Sequence, residues 1–347
     1  MVIRTNNPLY PCSSPKPNWS NQKWCAVQIQ KWSTKIRIFR PSILVLGLLV
    51  SMIGVPATGS SQQISVLGGP IFNDKGDISV SVMAEYSQHI QDLFSFSVGF
   101  LNEGHFDSPS KHHRDGLVGQ AWIGGTDISK KVSFRLGFGP YLYFDSTTNG
   151  RNLHSVGAIT SLDFQYALTD KWFLDLRGSY ILASRMNTMP LFAGLGYKFD
   201  SSNVSVNKEP TRNELDLFLG FSVVNSPGSN TSFAGAIEYR KNVWNHIDIT
   251  VAYLNEGNNK SVKRQGGTSQ IWFMQKLSDC FEVGIGGGIY EAYDSYRNTS
   301  LTTNGIVSLT GSYRIYNNWA TRITWDRVLT SYNRDSDVVL VGLGYEF

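Results

Sequence analysis

The chain nearly repeats itself, and this constrains its fold more than any other feature. Glu85-Tyr86 recurs as Glu238-Tyr239, Leu101-Asn102-Glu103-Gly104 as Leu254-Asn255-Glu256-Gly257, and Arg114, Gln120 and Trp122 as Arg264, Gln270 and Trp272. Gly137, Gly139, Tyr141 and Asp145 answer to Gly286, Gly288, Tyr290 and Asp294, and Trp172 to Trp319. Gly194-Leu195-Gly196-Tyr197-Lys198-Phe199 returns as Gly342-Leu343-Gly344-Tyr345-Glu346-Phe347. Matches kept in order over such a length mean two copies of one structural unit.

Within each copy, apolar and polar or small residues alternate with period two, the pattern of a strand with one apolar face. Phe134, Leu136 and Phe138 interleave with Arg135, Gly137 and Gly139, and Phe281, Val283 and Ile285 with Glu282, Gly284 and Gly286. The alternation predicts strands near 64–73, 77–89, 93–104, 117–126, 131–145, 155–168, 172–183 and 190–199. The second copy predicts them near 213–225, 233–243, 246–257, 267–277, 281–294, 305–316, 319–330 and 338–347. Tight joins (around 88–93, 126–131 and 169–171) take turns with generally longer polar ones (105–116, 146–154 and 184–189). That rhythm suits a transmembrane barrel, whose turns are short on one side of the membrane and whose loops are longer on the other. Trp172, Trp244 and Trp319 lie beside tight joins, where an aromatic girdle belongs.

The N-terminal part reads differently. An apolar run of about 14 residues at 42–55 is too short to span a bilayer as a helix. Lys31, Lys35, Arg37 and Arg40 precede it and Val55-Pro56-Ala57 follows, so 1–57 is expected to be a signal peptide with a long basic leader. That segment holds seven Lys and Arg and no acid, which leaves 24 basic against 27 acidic residues beyond it. The formal charge of +4 therefore gives no support to nucleic-acid binding. Cys280 is the one cysteine of the expected mature chain, so no intramolecular disulfide is available to it.

The closing Gly-Leu-Gly-Tyr-Glu-Phe, with Phe347 at the carboxy terminus of an alternating strand, resembles the assembly signal of bacterial outer-membrane barrels. Each copy resembles the small eight-stranded members of that class in length and loop plan. The resemblance implies an all-β, antiparallel transmembrane barrel of sixteen strands in a Gram-negative outer membrane. Its partners would be membrane lipid, lipopolysaccharide and the barrel assembly machinery. Two tandem barrels, 58–199 and 213–347 joined by a polar linker at 200–212, are favoured over one sixteen-stranded barrel. The linker is long for a hairpin turn, and Phe199 ends the first copy as Phe347 ends the second.

The residues kept in both copies form the expected polar network of lumen or rim: Glu85, Tyr86, Asn102, Glu103, Arg114, Gln120 and Asp145, with Glu238, Tyr239, Asn255, Glu256, Arg264, Gln270 and Asp294. Buried charges need partners, so ion pairs and hydrogen bonds inside a narrow barrel are the expected use, with Glu103 placed to meet Arg114. His105, His112 and His113 beside Asp107 and Asp115 match no zinc spacing and read as an exposed polar loop. No metal, cofactor or catalytic residue is assigned. There is no phosphate loop, dinucleotide fingerprint or nucleophile elbow, and Ser155 beside His154 recurs nowhere in the second copy. A structural, adhesive or surface-interaction role is expected, with a porin-like channel and a lipid A-modifying enzyme as alternatives.

Overall fold

The computed structural model of the chain describes residues 61–91, 93–106, 112–124, 131–147, 152–199, 212–225, 230–259, 262–297 and 300–347. The expected signal segment 1–57 and positions 200–211 of the expected linker lie outside them. The first copy supplies β1 (Gln62–Asn73), β2 (Ile78–Gln91), β3 (Phe94–Phe106), β4 (His112–Gly124), β5 (Val132–Thr147), β6 (Asn152–Ala167), β7 (Trp172–Leu182) and β8 (Thr188–Phe199). The second supplies β9 (Asn213–Val224), β10 (Ser232–Trp244), β11 (Ile247–Asn258), β12 (Lys263–Lys276), β13 (Phe281–Asp294), β14 (Ser300–Tyr316), β15 (Trp319–Leu329) and β16 (Ser336–Glu346).

The strands close into two separate antiparallel barrels of eight. In the first, β1 pairs with β8, setting Ile64 opposite Tyr197 and Val66 opposite Leu195. In the second, β9 pairs with β16, setting Leu217 opposite Leu343. Neither sheet has an open edge, so every strand has a ladder partner on both sides. An even number of strands returns each chain to the end where it began. The two-residue joins 245–246 and 317–318 lie at that end, the turn end; the opposite end is the loop end.

Alternation sorts the side chains across each wall. Outward positions carry large apolar groups in the open, among them Val80 at 70% exposure, Leu136 at 64%, Leu217 at 60% and Ile271 at 62%. Inward positions hold buried charges, small residues and a few large aromatics. The inward glycines follow from those aromatics: a Cβ on Gly137 would lie 2.6 Å from the Trp122 ring, and one on Gly286 2.5 Å from Trp272. The same holds where Gly196 faces Phe173. These glycines give up side-chain volume so that a neighbouring ring can lie flat inside the wall.

Strand lengths depart from the sequence expectation at the loop end. β6 starts at Asn152 and β14 at Ser300, earlier than the apolar alternation suggested. Polar side chains there do not stop the backbone ladder, which pairs Ser146 with Asn152 and Phe144 with His154. The first join at the loop end is also tight. The Asn73 side-chain oxygen accepts the backbone N–H groups of Lys75 and Asp77, and Gly76 takes φ 90°.

A test of closure follows from the registers. With native cysteines replaced by serine, Val66→Cys and Leu195→Cys should crosslink within one chain. Val66→Cys and Leu343→Cys should not, and the reverse result would mean a single large barrel.

Candidate functional site

The motif Leu-Asn-Glu-Gly owes its recurrence to a backbone irregularity. In both barrels the register slips just after the Asn, between Asn102 and His105 in one and Asn255 and Asn258 in the other. Gly104 and Gly257 adopt φ 73° and 74°, a left-handed conformation in which other residues are strained. Each Gly N–H donates to the side-chain oxygen of the Asn two residues earlier, at 2.8 Å in both. A Cβ on either Gly would also fall within 2.3 Å of a neighbouring carbonyl oxygen. The bulge leaves the intervening Glu buried and facing Arg114 or Arg264.

These pairs anchor the lumen near the loop end. Arg114 grips Glu103 with two hydrogen bonds, at 2.5 and 2.6 Å, and also donates to the Met186 carbonyl at 2.7 Å and the Thr188 hydroxyl at 3.0 Å. Thr188 in turn donates to Glu103 at 2.6 Å. In the second barrel Arg264 grips Glu256 at 2.5 and 2.8 Å and donates to the Ser336 hydroxyl at 2.7 Å, while Ser336 donates to Glu256 at 2.5 Å. Asp145 lies 3.6 Å from Arg185, and Asp294 lies 3.7 Å from Arg264 and accepts from the Tyr332 hydroxyl.

Deeper in the wall, Glu85 accepts from Arg177 at 2.8 and 2.9 Å and from Ser97 at 2.9 Å. Trp122 donates to Ser97 at 2.8 Å, and Arg135 and Arg177 sit 4.8 and 4.9 Å from its ring centre. Arg135 and Arg177 share Asp163, at 2.6 and 3.1 Å. Gln120 donates to Ser161 at 2.9 Å. The second barrel keeps the plan with other partners. Glu238 accepts from Arg240 at 2.8 Å, and Arg240 lies 4.6 Å over Trp272. Gln270 accepts from Ser308 at 2.8 Å, and Arg322 reaches Glu214 at 2.7 Å and Asp216 at 3.4 Å.

Ten of the fourteen residues singled out from the sequence thus lie in the two lumens. The other four do not. Tyr86 and Tyr239 lie on the outward side of β2 and β10, where their hydroxyls donate to Gln88 and Asn213. Asn102 and Asn255 serve the bulge. Sequence reasoning missed Arg135, Asp163, Asp175, Arg177, Arg240 and Arg322, because it kept only residues present in both copies. Alternation held the missing signal: Asp175 and Arg177 interleave with Leu174 and Leu176, which face outward.

Most lumen charges are paired with one another. Most of the carboxylates there are engaged by guanidinium groups, and Asp326 lines, with Glu238 and Gln270, a cavity with room for about one water molecule. No cluster of three metal-ligating side chains occurs among the described residues. The histidine region is partly ordered into strand, with the His105 and His113 rings 4.6 Å apart and His113 3.1 Å from Asp115.

Breaking a buried pair leaves an uncompensated charge, which costs about 3–5 kcal/mol, whereas an apolar replacement of both partners costs far less. Arg114→Met should therefore lower stability by about that amount in urea unfolding of the membrane-inserted protein. The double variant Glu103→Leu with Arg114→Met should lose less than the two single losses combined. Additive losses would show that the pair is not a unit.

No family model matches the chain, and no curated protein matches it. Among solved structures it is similar to the Neisserial surface protein A, at 19% identity and a TM-score of 0.35, covering 41% of this chain and 97% of that one. It is similar to Ail, the attachment invasion locus protein of Yersinia pestis, at 14% identity and a TM-score of 0.30, covering 40% and 97%. The third is the N-terminal β-barrel domain of Pseudomonas aeruginosa OprF, at 11% identity and a TM-score of 0.31, again covering 40% and 97%.

Proposed function

We propose that this protein is an integral outer-membrane protein whose two filled barrels serve a structural, adhesive or surface-interaction role through their loop ends. The observation that carries this reading is the inversion of the usual soluble pattern: apolar side chains face out all around, and ion pairs fill the inside. Exposed apolar area of this extent is untenable on a water-soluble monomer and is what a lipid-facing wall requires. At the turn end, Trp172 packs on Tyr197 and Trp319 on Tyr345, with ring centres 5.1 and 5.0 Å apart, amphipathic pairs suited to a membrane interface. The turn end is then periplasmic and the loop end external. Lipopolysaccharide, other cells or host surfaces are the partners within reach of the loops.

The channel alternative rests on a single sixteen-stranded wall, and the walls here close at eight, a width that side chains fill. The lipid A-modifying alternative needs a nucleophile beside a base at the external rim. His154 has Asp335 at 2.5 Å, but Ser155 follows it on the same strand and so projects through the opposite face of the wall.

Purified protein in planar bilayers should give no stepwise conductance of porin size; steady openings of that size would reject the filled-lumen reading. Localisation is tested at the last residue, whose backbone N–H donates to the Asn213 carbonyl at 2.9 Å and whose side chain is 65% exposed. Deleting Phe347 should reduce the heat-modifiable, outer-membrane form severalfold, with periplasmic degradation of the rest. Normal yield of that form would refute the role given to the terminal strand.

A further inference from the structure

An outward-facing charge on a barrel wall is costly when lipid faces it. Near the loop end this chain nevertheless places Asp115 and His154 on the outside of the first barrel, and Arg327 and Asp337 on the outside of the second. These groups meet across the two barrels. His154 Nε2 lies 2.5 Å from Asp335 Oδ2, and Arg327 lies 3.4 Å from Asp115 and 2.6 Å from Asp337. The Asn152 amide donates to the Asn333 side chain at 3.0 Å, and the Arg327 guanidinium lies 5.3 Å over the Phe144 ring. Burial alone would raise the Asp335 carboxyl. The hydrogen bond and charge of His154, with Arg327 and the Thr330 backbone amide, outweigh it and hold the group below the ordinary aspartate value.

Towards the turn end the contact becomes apolar. Outward side chains of the first barrel (Phe96, Val98, Leu117) form one buried cluster with outward side chains of the second (Phe273, Ile285, Val307). Phe100 and Trp325 close the middle, with ring centres 4.5 Å apart. The duplication supplies an internal control. Phe273 is 4% exposed where its counterpart Ile123 is 60%, Ile285 5% where Leu136 is 64%, and Phe144 1% where Tyr293 is 55%. The charges follow the same rule. Gln265 stands in the second barrel where Asp115 stands in the first, and Leu301 where His154 stands; Tyr180, Asn187 and Met189 stand in the first where the second has Arg327, Asp335 and Asp337. Among the described residues, the charged groups of this lock lie on the two faces that meet, and their counterparts in the repeat are uncharged.

We infer that the two barrels are docked side by side as one membrane unit, through a lipid-free seam whose apolar floor lies toward the periplasmic side and whose charged lock lies at the external rim. The side chains that meet are not counterparts in the repeat, since Phe144 of the first barrel and Phe273 and Ile285 of the second are buried where Tyr293, Ile123 and Leu136 are exposed, so the contact is heterologous. Contacts of that kind can propagate into arrays. Here they stop at two, because the counterpart positions on the faces left over, Gln265 and Leu301 in one barrel and Tyr180, Asn187 and Met189 in the other, lack the charges. The external surface is then composite, with the 330–335 connection of one barrel seated on the strand ends of the other.

The test uses the full chain with a protease site inserted at 200–212, cut after assembly and extracted in mild detergent. An affinity tag on one half should recover the other half, with each half's heat-modifiable mobility showing that it is folded. Asp115→Arg with His154→Glu sets like charges against Arg327 and Asp335, and should lower that recovery at least tenfold while both halves stay heat-modifiable. Independently, Phe100→Cys and Trp325→Cys, with native cysteines changed to serine, should be joined by a short bifunctional thiol reagent in intact cells. Separation of the wild-type halves, failure of that crosslink, or recovery unmoved by the charge clash would each overturn the proposal.

Discussion

The pairing of guanidinium groups with carboxylates in the barrel lumen is the constraint on which the rest of this structure depends. An eight-stranded wall encloses a space about as wide as its own side chains. Charges placed there have little water to solvate them and must find each other. Arg114 with Glu103 and Arg264 with Glu256 do so through two hydrogen bonds each, while Thr188 and Ser336 bridge the same groups. The bulge at Leu-Asn-Glu-Gly aims the acid, and the glycines opposite Trp122 and Trp272 make room for the rings over which arginines lie. With the inside filled in this way, the outside is left to apolar side chains.

The two copies solve this problem with different residues at the same places. The ion pair of Asp163 and Arg177 is answered in the second barrel by Thr310 and Thr324, whose hydroxyls are 3.2 Å apart. Asp175 is answered by Arg322, a reversal of sign. The reversal is matched on the neighbouring wall, where Gln63 and Ser65 give way to Glu214 and Asp216, the acids that Arg322 touches. The cation over the tryptophan moves as well, from β5 and β7 in the first barrel to β10 in the second. What persists is a guanidinium that both pairs with Glu85 or Glu238 and lies over the neighbouring tryptophan ring.

Much of the architecture was legible in the sequence because lipid and lumen impose opposite demands on alternate residues. Leu174 and Leu176 against Asp175 and Arg177 show which face is which without any structure. Closure at eight was legible from Phe199 repeating Phe347 ahead of a polar stretch. The site was legible only where both copies agree, as at Glu103 and Arg114. Where partners changed together, comparing the halves hid the pattern, since Asp163 finds only Thr310 opposite it. The outward position of Tyr86 was available from its place next to Glu85. The contact between the barrels was not, because Phe273 and Ile123 are alike as residues and differ only in what surrounds them.

The compensated lumen also bears on how the gene can change. Tandem copies ordinarily exchange segments by recombination and stay alike. A transfer carrying β15 into the place of β7 would set Arg322 beside Gln63 and Ser65 and remove the cation that Glu85 requires. A transfer the other way would set Asp175 against Glu214 and Asp216. Either product would hold a buried charge without its partner, a cost of about 3–5 kcal/mol, so the compensated lumens favour divergence of the two halves over exchange between them.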